Sequence, residues 1–381
     1  MCNDPLPFSE YHPPQIPSLF ELRDIVATKF TVLDSFIDPG GTPTFVLADG
    51  PTKDNFMHVL KEVSRHGLLP VLRVQKDRLV LRVIHKPPPR KPRSVVNLVL
   101  FAATISTIFF AGYTLVTNIP ILRDVLMKGT NIFAQAALFA ASLIAIIGLH
   151  ELGHKFACRM HGLDSTLPYF IPGPPPFGTF GALISLRSPP TNRDQLFDLG
   201  FSGPLVGFVV TVLVAILSFQ MGYIVPASEA LKWEQEQLVQ RTQWPSYPLL
   251  FDLLSPLVRP IPPGYSLVFT QLEFAAWVGA LLTFLNMLPI WQLDGGHISR
   301  AVFGVQGHKV ASMAGIAILV ATGYWFFALF LLIWMFSTGR GFATVEPLDD
   351  VSPLAQSRKM LYLLSLLILV LSFVMMPMRQ V

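Results

Sequence analysis

Ile147-Gly148-Leu149-His150-Glu151-Leu152-Gly153-His154-Lys155-Phe156 closes a run of apolar residues that begins at Ile132. Between 132 and 149 only Gln135 and Ser142 are clearly polar. A run of that length suits a membrane-crossing helix. On a helix, His150 and His154 face the same way, one turn apart. Two imidazoles so placed can share one Zn²⁺, and the carboxylate of Glu151 beside them can act as general base on water. The plain alternative is a chance pair of helix-facing histidines. Against it stands the cost of ionisable side chains within an apolar span, which marks them as functional by default.

The composition agrees with a polytopic membrane protein. The 381 residues are 52% hydrophobic and 14% charged, with a mean hydropathy of +0.52. Two cysteines, Cys2 and Cys158, exclude a disulfide framework. Cys158, one turn past His154, reads better as a small buried side chain than as a ligand. The first 20 residues are Pro-rich and lack the apolar segment of a cleavable signal.

Residues 1–93 read as a small soluble α+β domain with a basic linker. Phe30–Asp38 and Thr44–Ala48 have strand character around the turn Pro39-Gly-Gly-Thr-Pro43. Phe56, Val59, Leu60 and Val63 give 54–66 a helical face. Leu69–Val74 and Arg78–Val83 flank Gln75-Lys-Asp77 as a hairpin. No catalytic constellation occurs here, and a regulatory or substrate-recruiting role is expected. Lys86-Pro-Pro-Pro-Arg-Lys-Pro-Arg93 is a stiff basic segment just before an apolar one. That order favours membrane anchoring on the cytoplasmic side over a nucleic-acid patch.

Residues 94–381 read as an all-α membrane bundle of about six or seven spans, with a catalytic core at 130–305. The spans expected are 95–116, 132–158, 199–220, 266–288, 310–336 and 360–376. The fifth, interrupted by Gly323, is one tilted helix or two short ones. Read as a hairpin, it gathers most Lys and Arg near span ends on one side. The positive-inside rule then places the N-terminus and the His-Glu-x-x-His motif toward the cytoplasm. Between the second and third spans, Pro172-Gly-Pro-Pro-Pro-Phe-Gly178 cannot be helix, and Thr179–Leu186 has strand character. Such a membrane-associated strand or hairpin offers unpaired backbone groups to an extended peptide. An ordinary loop covering the bundle is the alternative.

A catalytic zinc normally takes three protein ligands. Asp294 is the third candidate, in Asn286-Met-Leu-Pro289-Ile-Trp-Gln-Leu-Asp294-Gly-Gly-His297 at the end of the fourth span. The topology returns it to the membrane side of His154. Pro289 breaks the helix, and Gly295-Gly296 allows a tight turn that aims the carboxylate inward. The plainer role for Asp294 is a helix cap. His297 reads as a polar helix-start residue and is not counted as a ligand.

At these residues the sequence resembles the site-2 protease family of intramembrane zinc metalloproteases. The resemblance rests on His150-Glu151-x-x-His154, Asn286-x-x-Pro289-x-x-x-Leu293-Asp294-Gly295, Gly178-Thr-Phe-Gly181-Ala and Ser202-Gly203-Pro204, and it covers about 95–305. The wording is most like the chloroplast, cyanobacterial and archaeal branch; no PDZ-length insertion or CBS-like tail is recognised. The resemblance implies one Zn²⁺ per chain held by His150, His154 and Asp294, with Glu151 activating water and carrying the proton to the leaving amine. It implies cleavage of transmembrane protein substrates in or near the bilayer, with no nucleic-acid partner. Asn286 matches an asparagine that engages the substrate backbone; a helix–helix hydrogen bond is its alternative role. Gly178, Phe180 and Gly181 belong to the strand expected to hold an unwound substrate.

Two other classes compete. A metal transporter would show repeated halves and broken helices, whereas here the ligands cluster in two segments. A non-proteolytic chaperone for membrane helices would have no use for Glu151.

Overall fold

The computed structural model describes residues 17–86, 94–118, 121–126, 128–236, 246–338 and 345–375. Cys2 and the Pro-rich start, most of the basic linker (87–93), and Arg241, Arg340 and Arg379 lie outside the described residues. The chain forms two compact units: 1–89 with 191–193 and 346–353, and the remainder.

In the first unit, Ser18 and Glu21 cap α1 (Leu19–Ala27) reciprocally, each side chain bonding the other's backbone N–H. Strands β1 (Val32–Ile37), β2 (Pro43–Leu47), β3 (Leu68–Gln75) and β4 (Arg78–His85) make an antiparallel sheet in the order β1-β2-β4-β3. The β3–β4 loop is two residues long, with Lys76 and Asp77 both left-handed at φ 49° and 59°. That is the backbone a tight hairpin demands for right-handed strand twist. Helix α2 (Lys53–Ser64) buries Phe56, Val59 and Val63 in one core with Leu22, Phe45, Leu81 and Leu348.

Leu348 enters that core because a late segment lies along the β3 edge. Leu72 donates its N–H to the Leu348 carbonyl at 2.8 Å, and Asp350 donates back to Leu72 at 3.3 Å. Arg73 reaches the same Leu348 carbonyl at 2.8 Å. Outside that segment, Asp349 donates to the Thr191 carbonyl at 2.8 Å. The sheet drawn from residues 30–85 therefore gains two short extensions from far along the chain. Neither 191–193 nor 346–353 carries a periodic apolar pattern that would announce it.

The second unit runs α3 (Ser94–Thr117), a π-helical turn (Ile121–Leu126), α4 (Ile132–Met160), β5 (Tyr169–Pro172), β6 (Thr179–Leu183), α5 (Arg193–Met221), β7 (Tyr223–Pro226), α6 (Ala227–Gln235), α7 (Leu249–Val258), β8 (Tyr265–Val268), α8 (Gln271–Met287), α9 (Asp294–Ala321), α10 (Trp325–Ser337) and α11 (Gln356–Leu371). Among the described residues, α3, α4, α5 and α9 are long and apolar enough to cross a membrane. Helices α8, α10 and α11 are shorter, at 17, 13 and 16 residues. Outward-facing residues such as Leu98 on α3, Phe326 and Ile333 on α10 and Leu363 on α11 are exposed hydrocarbon, the surface a lipid solvent wants.

Helix α4 packs between α3 and α8. At its C-terminal end, His161 Nε2 lies 2.9 Å from Asp198 Oδ2 on α5. The same carboxylate accepts from Arg358 of α11 at 2.8 and 3.1 Å. Helix α9 begins sixteen residues before the expected Val310, at Asp294, and breaks at Gly304, whose φ of 71° and ψ of −165° no helix contains. The chain turns again at Gly323, φ 90°, between α9 and α10.

Candidate metal centre

Helix α4 carries His150, Glu151 and His154, the first two buried and the last half-buried. What makes room for two imidazoles in a close-packed bundle is a row of glycines on α5. A Cβ on Gly203 would sit 2.1 Å from His154 Nε2, and one on Gly207 would sit 2.9 Å from His150 Nδ1. A Cβ on Gly200 would meet the Asp294 carbonyl at 2.6 Å. Helix α4 reciprocates at Gly153, where a Cβ would meet the Ser202 carbonyl at 2.7 Å. Small residues facing each other are the usual device for close helix approach in membranes. Only Gly203 was singled out in the sequence, as part of a motif and without this steric reason. The partner of such a contact is not written beside it.

Asp294 comes from the first residue of α9, yet its side chain makes no capping bond; Leu293 is the N-cap. The carboxylate turns instead to the imidazoles. Asp294 Oδ2 is 3.2 Å from His150 Nε2, and Oδ1 is 3.3 Å from His154 Nε2. The two Nε2 atoms are 3.1 Å apart. His154 Nδ1 lies 2.7 Å from the Leu199 carbonyl, so that nitrogen donates and the Nε2 lone pair faces the centre.

The turn that delivers Asp294 differs in detail from the expectation. Helix α8 ends at Met287, before Pro289, as a proline requires. Gly295 and Gly296, however, are helical, and their lack of a Cβ serves close approach. A Cβ would fall 2.0 Å from the Met287 carbonyl at Gly295 and 2.2 Å from the Trp291 carbonyl at Gly296. The left-handed residue of the turn is Trp291, φ 43°, a strained backbone for a bulky side chain. Its buried indole packs edge-on against Trp334, with ring centroids 5.5 Å apart.

His150, His154 and Asp294 are the one group among the described residues whose donor atoms could hold a metal, all within 4.8 Å of one another. Zn–N and Zn–O bonds of about 2.0–2.1 Å at tetrahedral angles put ligand atoms roughly 3.3 Å apart. The observed triangle of 3.1–3.3 Å has that size, so the residues fit a zinc ion. Glu151 is 5% exposed, and its Oε2 has no hydrogen-bond partner among the described residues. The backbone of Ile184, one residue past β6, faces this carboxylate.

Strands β5 and β6 form a two-stranded antiparallel hairpin, so β6 keeps an open edge among the described residues. Gly178, φ 75°, lies against α3: a Cβ there would be 2.5 Å from Ile108 Cα, and Thr107 Oγ1 donates to its carbonyl at 2.7 Å. Gly181, φ 98°, is buried, whereas Phe180 between them is exposed. Lys155 anchors the approach to the hairpin. Its ammonium donates to the Ser165 carbonyl at 2.6 Å and to Ser165 Oγ at 3.1 Å. Asn286 sits half-buried in the last turn of α8, and none of the hydrogen bonds among the described residues involves its carboxamide. His297 packs its Cβ near Gly200, outside the donor group. Cys158 is buried among Ala157, Leu199, Leu163 and Leu186.

Residues 138–330, just over half the chain, match the model of Peptidase family M50. The chain belongs to that family. Similar curated proteins point the same way. The "Probable zinc metalloprotease EGY2, chloroplastic" of Oryza sativa subsp. indica is 29% identical over 242 residues, which are 61% of this chain and 43% of the relative. The protein of the same name from Arabidopsis thaliana is 26% identical over 278 residues, 67% of this chain and 49% of the relative. The "Probable zinc metalloprotease EGY1, chloroplastic" of Arabidopsis thaliana is 31% identical over 198 residues, 50% and 34%. The chain spans less than half the length of these relatives. No solved structure matches it. Family M50 is the site-2 protease family that the motifs resemble, and with its long apolar helices this M50 chain is a multi-pass integral membrane protein.

Proposed function

We propose that this chain is an intramembrane zinc metalloprotease that hydrolyses peptide bonds in or near transmembrane helices of other membrane proteins. The observation that carries this reading is the convergence of His150, His154 and Asp294, from two segments about 140 residues apart, on one buried triangle beside Glu151. In the proposal those three residues hold one Zn²⁺. When bound, zinc supplies Lewis acidity, polarising the scissile carbonyl and bringing the acidity of a water molecule near neutral pH.

The chain's own residues then do the following. Glu151 takes a proton from the attacking water as the new C–O bond forms, and delivers it to the amide nitrogen as the C–N bond breaks. The Leu199 carbonyl keeps the His154 tautomer fixed through the cycle. A helical substrate hides its carbonyls in its own hydrogen bonds, so it must be extended before attack. The open edge of β6, with Gly178, Phe180 and Gly181, is the surface assigned to that task, since its end faces Glu151. Asn286, whose carboxamide is tied to nothing among the described residues, is assigned to the substrate backbone. Residues 1–93 are the soluble module and 94–381 the protease domain, with about seven segments in the bilayer and the site toward the cytoplasm.

Glu151→Gln tests the chemistry. A carboxamide keeps the size but cannot take a proton, and loss of a general base typically costs ~10²–10⁴ in rate. The variant should hold zinc and bind membrane protein yet leave it uncut, measured as cleavage fragments by membrane proteomics. Near-normal cleavage by zinc-loaded Glu151→Gln defeats the mechanism, and a chaperone or transporter would keep working. For orientation, cysteines engineered at exposed positions within 225–260 should label from the non-cytoplasmic side and those within 187–195 should not; the reverse pattern inverts the topology.

A further inference from the structure

A buried chain of polar groups encloses the turn that presents Asp294. Ser312 Oγ, on α9 past the Gly304 break, donates to the Pro289 carbonyl at 3.0 Å and accepts from the Trp291 N–H at 3.1 Å. His308, one turn earlier, lies with Nε2 3.4 Å from Ser312 Oγ and Nδ1 2.7 Å from Ser299 Oγ. Ser299, on the near side of the break, donates to the Gly296 carbonyl at 3.0 Å. The chain thus runs from Gly296, two residues after Asp294, across the kink and back to Pro289 and Trp291 before it. Ser299 and His308 are each 2% exposed and Ser312 is 0% exposed.

Two features show that the turn needs this support. Trp291 is left-handed without being glycine, and Ser312 holds its N–H. Gly315, one turn past Ser312, comes so near the loop that a Cβ would be 2.5 Å from Ile290 Cγ1. The face Ser312–Gly315 of α9 is therefore fitted to residues 289–291, Ser312 to their backbone and Gly315 to the Ile290 and Pro289 side chains, with His308 bracing Ser312 from behind. We infer that His308 and Ser312 are positioning residues for the third metal ligand: they hold the strained 289–293 turn, and through it the Asp294 carboxylate, in register with His150 and His154. Neither touches the donor triangle. The inference rests on Asp294 being a ligand.

The test uses purified full-length chain loaded with cobalt(II), whose visible absorption reports the number and arrangement of its ligands. Ser312→Ala should shift and weaken the absorption band and lower cobalt affinity roughly tenfold, the lower end of what outer partners of metal ligands contribute. Ser299→Ala, which releases the other end of the chain, should act in the same direction, so the result does not depend on one variant folding. Thr322→Val removes a buried hydroxyl at the C-cap of α9 that bonds only to the Ile318 and Leu319 carbonyls, and should leave the band unchanged. Asp294→Ala is the reference. If it changes the band while both serine variants keep wild-type band and affinity, even at lowered melting temperature, the positioning role is wrong. If Asp294→Ala itself leaves the band untouched, the ligand assignment fails and the positioning role falls with it.

Discussion

The two ends of α4 bury polar groups in the same apolar bundle and treat them differently. Near its N-terminus, Gln135 accepts from Gln271 of α8 at 2.7 Å, and two residues on, Glu273 is bonded by Tyr247. Each side chain there pairs with one neighbour, leaving Gln271 Oε1 and Glu273 Oε2 buried without a hydrogen-bond partner among the described residues, and burial beside Glu273 pushes the Tyr247 phenol up, so it stays a donor. Near the C-terminus, His150, His154 and Asp294 turn their lone pairs toward one point. Amides and phenols bond each other one pair at a time; two imidazole nitrogens and a carboxylate converging at 3.1–3.3 Å are satisfied together by a cation. Buried polarity in a membrane bundle is therefore not a functional sign by itself. Convergence is.

That contrast can be broken most sharply at the ligands. His154→Ala or Asp294→Ala should lose most of the bound zinc, measured per chain by elemental analysis; full retention in Asp294→Ala would mean a wrong third ligand. Next in size, Gly203→Ala should cost about 10–100-fold in zinc affinity by displacing the His154 ring. Gly207→Ala should cost less, because its added Cβ meets His150 at 2.9 Å rather than 2.1 Å. The reverse order would mean the glycine row sets helix packing and not ring position. The smallest effect belongs to the paired end. Tyr247→Phe should leave zinc untouched and lower unfolding stability by about 1–3 kcal/mol, the cost of stranding a buried polar partner. Loss of zinc in that variant would erase the distinction between the ends.

The donor residues were legible in the sequence because their signal is local. His150 and His154 share a helix face by spacing alone, and Asp294 stands beside a proline and two glycines that announce a turn. The machinery that seats them was not. Gly200 and Gly207 answer to side chains roughly 50 to 100 residues away, Ser312 answers to the loop between α8 and α9, and His308 answers to Ser299 and Ser312 across the Gly304 break. Trp291, not a glycine, takes the left-handed position, because a buried ring and a tethered N–H override its local preference. The helix start at Asp294–His297 was legible; its continuity past Gly304 to Ala321 was not, because its polar residues and Gly304 interrupt the apolar periodicity.

The β3 edge carries a consequence for how the molecule is made. Arg73 and Leu348 are 275 positions apart, yet they share a hydrogen bond in the first unit's sheet. A chain emerging from the ribosome makes β1 to β4 early, then must extrude α3 through α10 before residues 346–350 exist. Throughout that interval β3 presents unpaired backbone to its surroundings, the state in which strands pair wrongly. The unit that is first in sequence is thus among the last to be completed, and truncation anywhere before residue 350 leaves its sheet unclosed.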